Sequence, residues 1–158
     1  MTKEQLGDLI ISSEESLYRV AKSLLQNDAD CGDAIQEAIV KAFTGLSALR
    51  EDKYAKTWLV RILINECYQI LRKEKKLIPL EYAAEEAAQE KEDYSLLYQA
   101  VLRLPKSMRT AVVLYYAEGF SVKEIAAIEE TTESAVKNRL FKARARLREL
   151  LAGEEDMG

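Results

Sequence analysis

The chain contains no histidine, two cysteines, two prolines and six glycines in 158 residues. Without histidine there is no imidazole for acid–base catalysis or metal binding. Cys31 and Cys67 are too few for a zinc cluster and do not form a CxxC pair, so both are expected to be small buried hydrophobes. No glycine-rich phosphate loop is present, and the carboxylates form no recognisable catalytic constellation. The expectation is a non-enzyme with no catalytic residue, no metal ligand, no cofactor and no small-molecule substrate. No apolar run approaches the roughly 20 residues that span a bilayer, so membrane insertion is not expected. The first residues carry Glu4 and Asp8, unlike a signal peptide, which leads us to expect a cytoplasmic protein.

What is present is helix-forming. Hydrophobic residues make up 48% and charged residues 32%, a mixture that suits one ordinary helical domain or two small ones. The net charge of −4 argues against a nucleic-acid partner until its distribution is considered. Residues 53–76 hold seven Lys/Arg against two Asp/Glu, and residues 132–152 hold six against two. Residues 1–52 and 77–105 are acidic. Screening cuts off charges beyond about 10 Å, so these local basic patches govern binding to phosphate.

Helical periodicity runs through the chain without strand alternation or internal repeat. The spacing predicts helices over Lys3–Ser12, Ser16–Gln26, Asp33–Leu46 and Tyr54–Lys75. In the second, Leu17, Val20, Ala21, Leu24 and Leu25 share a face. Asn27-Asp28-Ala29-Asp30 then reads as a break. In the third, Ile35, Ala38, Ile39, Ala42, Phe43 and Leu46 are expected inward, with Gln36, Glu37, Lys41 and Thr44 on the other face. These elements make an N-terminal domain over residues 1–76. Residues 77–93, with Pro79 and six acidic residues, read as an acidic linker. A second domain, 94–152, starts with Leu96, Leu97, Ala100, Val101 and Leu104. Pro105 interrupts it, and helices follow over Ser107–Glu118, Val122–Ile128 and Thr132–Leu151. Residues 153–158 form an acidic tail. The fold class is all-α, with two small helical domains.

The strongest local signal is a helix-turn-helix. Gly119 ends one helix, and Ser121 caps the next with Glu124 three residues on, as a capping box requires. Ile125, Ala126 and Ile128 face inward, and Ala126 is small where two helices approach. Thr132 is the natural N-cap of the last helix. On that helix Val136, Leu140, Ala143, Leu147 and Leu150 recur at core spacing, while Lys137, Arg139, Lys142, Arg144, Arg146 and Arg148 point elsewhere. A basic amphipathic helix alone is ordinarily a solvated face. Behind a capped short helix and a tight turn it fits a major groove, with its first residues at base edges and later cations on phosphates.

The fourth helix interleaves Lys56, Trp58, Arg61, Asn65, Tyr68, Arg72 and Lys73. Aromatics among cations hold unpaired bases, each stack being worth about 1–3 kcal/mol. Taken singly, a tryptophan such as Trp58 is more often core than platform.

In order along the chain stand Asp33-Ala-Ile-Gln-Glu37, Thr57-Trp-Leu-Val-Arg-Ile62 with Asn65, Leu104-Pro105 with Arg109, and Val136-Lys-Asn-Arg-Leu-Phe-Lys-Ala-Arg144. With these four motifs the chain resembles the extracytoplasmic-function (group IV, ECF) sigma factors of the sigma-70 family, the promoter-recognition subunits of bacterial RNA polymerase. Ile62–Lys73 is similar to the Gram-positive branch that includes envelope- and lysozyme-stress factors. The resemblance implies a region 2 helical bundle and a region 4 helix-turn-helix joined by the linker. It implies that Asp33, Gln36, Glu37 and Lys41 meet the clamp helices of the beta-prime subunit, and that 106–118 meets the beta flap. Lys56, Trp58, Arg61, Asn65, Arg72 and Lys73 would engage the downstream promoter element as it melts. Thr132, Ser134, Lys137, Asn138, Phe141 and Lys142 would meet the upstream element, with Arg139 and Arg144 near its backbone. The linker would thread near the cation-lined RNA channel, and an anti-sigma factor would hold the chain inactive for a stress-response regulon.

Five residues at three places depart from the family pattern. Glu130 and Thr131 stand where glycine and an apolar residue are frequent. Cys31-Gly32 replaces a common Ala-Glu, which loosens the expected helix start, and Gln69 stands for a frequent Asp. The alternatives carried beside this reading are a stand-alone helix-turn-helix regulator, which would bind duplex DNA by itself as a dimer, and a protein-interaction module without DNA contact.

Overall fold

The computed structural model describes residues 1–77 and 96–157, with side chains for 1–74 and 96–153. The expected linker, 77–93, therefore lies almost wholly outside the described residues. Every regular element among the described residues is helical, and the chain divides into two compact units, one within Met1–Tyr82 and one within Ala83–Gly158.

Unit 1 holds four helices: α1 (Lys3–Ser12), α2 (Glu14–Leu25), α3 (Asp28–Thr44) and α4 (Ala55–Leu77). Thr2 opens α1 with a reciprocal capping box to Gln5. The five residues expected on one face of α2 are all buried. The expected break between α2 and α3 is only a sharp corner. Gln26 takes a left-handed backbone (φ 66°), and the Asn27 side chain accepts from the Asp30 backbone N–H, so α3 starts at Asp28. Asp28 and Asp30 occupy its first turn, where carboxylates suit the helix dipole. The helix accordingly runs straight through Cys31 and Gly32, and the looser start expected there does not occur. Lys22 braces the corner by donating to the Gln26 carbonyl and to Asp28, each at 3.1 Å. Asp28 also accepts from the Tyr18 hydroxyl. That bond, and Lys22 after it, hold the Asp28 carboxyl below its usual range.

The inward face of α3 is rotated from the expected one. Cys31, Ala34, Ala38 and Ala42 are fully buried, whereas Ile35, Ile39, Phe43 and Leu46 are half-buried and Val40 is 57% exposed. Small side chains at the contact let α3 lie close to α4, which supplies the bulk: Leu59, Val60, Leu63 and Ile64 are buried with Ala55 and Cys67. Burial pushes the Cys67 thiol up to about 12. Both cysteines are free and buried, as expected of small hydrophobes. The apolar area these helices remove from water contributes roughly 25 cal/mol per Å², and no other driving force in unit 1 is comparable.

Unit 2 holds α5 (Leu96–Leu102), α6 (Lys106–Val112), a π-helical turn (Val113–Ala117), α7 (Val122–Ile128) and α8 (Glu133–Met157). Pro105, with no N–H to satisfy, stands at the N-cap of α6. Arg109 is buried and donates to the Leu102 carbonyl at 3.0 Å, tying α6 to the end of α5. A single helix over Ser107–Glu118 was expected. Instead the last turn widens, with the Glu118 N–H donating to the Val113 carbonyl at 3.0 Å. Gly119, at φ +74°, then turns the chain. The last helix also outruns its expected end at Leu151, reaching Met157. Gly153 costs about 1 kcal/mol in a helix interior, yet no proline follows to stop it.

Candidate nucleic-acid interface

The geometry of α7 and α8 follows from their caps. The Ser121 hydroxyl accepts from the Glu124 N–H at 3.1 Å, and the Glu124 carboxylate accepts from the Ser121 N–H at 2.9 Å. Each such cap is worth about 1 kcal/mol and fixes where the helix begins. Ile125, Ala126 and Ile128 are buried. The turn closes with the Thr131 N–H on the Ala126 carbonyl at 2.9 Å, and Glu130 takes φ 54°. That is the left-handed position where glycine would be cheaper by about 1 kcal/mol. The Thr132 hydroxyl then accepts from the Ala135 N–H at 3.1 Å and starts α8.

From that start the helix repeat decides what each side chain meets. Val136, Leu140 and Ala143 are buried, while Leu147 and Leu150 are only half-buried. Opposite them Ser134, Lys137, Asn138, Phe141 and Lys142 recur at i, i+3, i+4, i+7 and i+8, and all five are exposed. Phe141 is 68% exposed, a costly position for an apolar ring. Arg139 and Arg144, half-buried, flank this stripe on its two edges. Thr132 is exposed at its head. All eight residues singled out on this helix thus fall on one continuous surface. Sequence reasoning missed a ninth. The Arg144 guanidinium donates through Nη1 to the Tyr116 hydroxyl at 2.9 Å. No periodicity argument reaches a partner 28 residues away across a π-turn.

In unit 1, Arg61, Asn65 and Arg72 lie on one exposed line of α4, with Lys73 beside it and half-buried Trp58 one turn before Arg61. Gln69, which departs from the family pattern but is not among the expected contacts, stands on the same line between Asn65 and Arg72. Lys56 is exposed on the first turn. On α3, Asp33, Gln36 and Glu37 share an exposed side. Lys41 is placed differently. Its ammonium holds the buried Glu66 carboxylate of α4, and that bond keeps it above the usual lysine range. This lysine clamps α3 onto α4.

Two segments of the chain match known families. Residues 9–77 match "Sigma-70 region 2" and residues 94–147 match "Sigma-70, region 4". The chain is 34% identical over 139 residues to "ECF RNA polymerase sigma factor SigM" of Mycobacterium tuberculosis, covering 85% of this chain and 71% of that one. It is 31% identical over 158 residues to "RNA polymerase sigma factor SigV" of Bacillus subtilis, covering 98% and 95%. The chain belongs to the ECF sigma factors of the sigma-70 family. The solved structure of the sigma factor RpoE of Bartonella quintana, in complex with the anti-sigma factor NepR, superposes with TM-score 0.77 at 26% identity, covering 94% of this chain and 98% of that one. CnrH in complex with the cytosolic domain of CnrY gives 0.74 at 26%, covering 96% and 90%.

As an ECF sigma factor, the chain directs RNA polymerase to promoters and is non-enzymatic. Region 2 corresponds to the helices of unit 1 and region 4 to those of unit 2. Among the described residues no group of acidic or cysteine side chains could hold a metal ion, and no helix is long and apolar enough to cross a membrane.

Proposed function

We propose that this sigma factor divides promoter recognition between its units: α8 reads the upstream element in the major groove, and α4 engages the downstream element as it melts. The observation that carries the reading is the exposed stripe of α8. Lys137, Asn138, Phe141 and Lys142 stand opposite the buried face of a capped helix, and among the described residues their side chains form no ion pair or hydrogen bond. Asparagine reads adenine in bidentate fashion, lysine reads guanine, and an aromatic ring meets the thymine methyl. Thr132, Ser134, Arg139 and Arg144 border that stripe and take the backbone. On α4 the Arg61–Asn65–Arg72 line, with Lys56 and Lys73, tracks a separated strand, and Trp58 offers a stacking surface. Neither contact need be strong alone, because polymerase holds both at fixed spacing.

Asp33, Gln36 and Glu37 form the polymerase-facing side of α3 toward the beta-prime clamp helices. Lys41 flanks it while engaged with Glu66. Residues 106–118 face the beta flap, and the acidic linker lies near the RNA channel, its negative charge standing in for nucleic acid. The protein works in the cytoplasm under an anti-sigma factor, a reading supported by the complex of RpoE with the anti-sigma factor NepR among similar solved structures. The half-buried Ile35, Ile39 and Phe43, with exposed Val40 beside them, offer that partner an apolar surface. The likeness of Ile62–Lys73 to the Gram-positive branch, with the identity to a Bacillus subtilis factor, supports a regulon answering envelope or lysozyme stress.

Transcription reconstituted from core polymerase tests the proposal. Free chain binds promoter duplex poorly, while the holoenzyme initiates from it. Lys137→Ala with Lys142→Ala abolishes initiation without releasing the chain from polymerase. Initiation that proceeds equally well without the chain, or is untouched by that double substitution, overturns it.

A further inference from the structure

The reading of α8 leaves one contact unexplained. Tyr116 lies on the π-helical turn, where the widened backbone buries Leu114 and leaves Tyr115 and Tyr116 exposed. Tyr116 is 56% exposed, and its hydroxyl receives the Arg144 guanidinium at 2.9 Å. Tyr115 packs edge-on against its ring, centroids 4.9 Å apart and planes at 81°. π-turns inside helices frequently mark functional positions.

We propose that Tyr116 is a positioning residue for Arg144, and that the two side chains form one phosphate-binding unit at the edge of the α8 surface. This rests on the reading of α8 as the reader of upstream DNA. A bond between an exposed hydroxyl and a cation adds little to folding stability, because water competes for both groups. Its effect falls on the arginine. A long side chain otherwise free to rotate is held in one orientation before any ligand arrives, which lowers the entropy lost on binding.

The donor pattern names the ligand. The tyrosine oxygen accepts from Arg144, so its own proton is left to donate, and the guanidinium keeps further N–H groups. Accepting from a cation polarises the hydroxyl and makes it a better donor. Two donors side by side, one of them charged, suit an acceptor-only anion. Residues 132–152 carry six cations against two acids, which suits a polyanion. Phe141, three residues before Arg144, lies on the same side of the helix. The anion that meets both is therefore a DNA phosphodiester flanking the bases reached by the α8 stripe.

The test uses holoenzyme bound to the genomic promoter fragment that it selects, titrated with KCl, and compares Tyr116→Phe, Arg144→Ala, the double variant and Lys137→Ala. Phosphate ethylation interference is read in parallel. Tyr116→Phe keeps the ring and should weaken binding by about threefold to tenfold. The salt slope should fall toward that of Arg144→Ala, which loses close to one unit. Both variants lose interference at the same phosphate, and Tyr116→Phe costs less in the Arg144→Ala background than it does alone. Thermal stability stays unchanged in both. Wild-type binding by Tyr116→Phe beside a weakened Arg144→Ala overturns the role of Tyr116 and leaves the reading of α8 standing. Strictly additive losses overturn it as well, since they mark two independent contacts, and so does a lower melting temperature with an unchanged salt slope, which marks a merely structural one. If Arg144→Ala and Lys137→Ala both bind normally, the reading of α8 itself fails, and the proposal with it.

Discussion

The two units display cations on helices held in opposite ways. In unit 1, α4 is the spine of the core. Leu59, Val60, Leu63, Ile64 and Cys67 are buried along it, and its polar line of Arg61, Asn65, Gln69 and Arg72 is what remains. In unit 2, α8 anchors only a narrow stripe, Val136, Leu140 and Ala143, and leaves most of its circumference outside. A helix that displays cations can be fixed in place by burial or by capping. Burial leaves few positions free to vary. Caps at Ser121 and Thr132 fix the start of a helix with local hydrogen bonds, so that residues in its first turns can change without disturbing the fold.

That contrast can be broken by substitution. The largest effect is expected in the spine. Leu63→Ala should destabilise unit 1 by about 2–5 kcal/mol, through lost transfer energy and the cavity left behind. Calorimetry should show the unit 1 transition falling while that of unit 2 stays in place. By contrast, Asn138→Ala on the exposed stripe should move stability by less than about 0.5 kcal/mol.

Next comes the clamp between α3 and α4. Lys41→Met leaves the buried Glu66 carboxylate without its cation and should lower the stability of unit 1. Adding Glu66→Met should restore much of the loss, since two apolar side chains leave no charge to desolvate. Urea unfolding of the two variants measures both.

The turn of unit 2 sharpens the comparison from the other side. Gly119 and Glu130 both have left-handed backbones, φ +74° and 54°. Gly119→Ala should destabilise by about 1 kcal/mol, and Glu130→Gly should gain about 0.5–1 kcal/mol, both read from the unit 2 melting transition.

Unit 1 should also show a pH dependence. The Cys67 thiol is held up to about 12 by burial, against an ordinary 9.0. A raised pKa means the folded state favours the protonated form. The stability this adds is complete below pH 9 and is lost as the pH rises toward 12. The unit 1 melting temperature should therefore fall as the pH rises above 9, and Cys67→Ala should flatten that slope.

How far the sequence revealed this molecule follows the same division. The capped helices of unit 2 were legible because each cap is a short-range pattern: Ser121 with Glu124, Gly119 at a helix end, Thr132 before a periodic run. The stripe of α8 followed from periodicity once its start was known. The π-turn was not legible, since Val113–Ala117 reads like any amphipathic turn, and with it went the Tyr116–Arg144 bond. In unit 1 the face of α3 was misjudged. Ile35, Ile39 and Phe43 outrank alanine in hydrophobicity, but close packing on α4 chose Ala34, Ala38 and Ala42 instead. Lys41 is exposed as its place on the helix implies, but its bond to Glu66, 25 residues away on another helix, leaves no local trace. Asn27-Asp28-Ala29-Asp30 was read as a break, when the same residue types also cap and charge a helix start.

The central claim is that α8 supplies promoter recognition while α4 supplies opening. The most direct measurement is open-complex formation by holoenzymes carrying Arg61→Ala with Asn65→Ala, or Lys137→Ala with Asn138→Ala. Each is assayed on the duplex promoter and on the same promoter with its start region pre-melted by mismatches. The account predicts that both variants fail on duplex, and that pre-melting rescues the α4 variant but not the α8 variant. Rescue of both, or of the α8 variant alone, would contradict it.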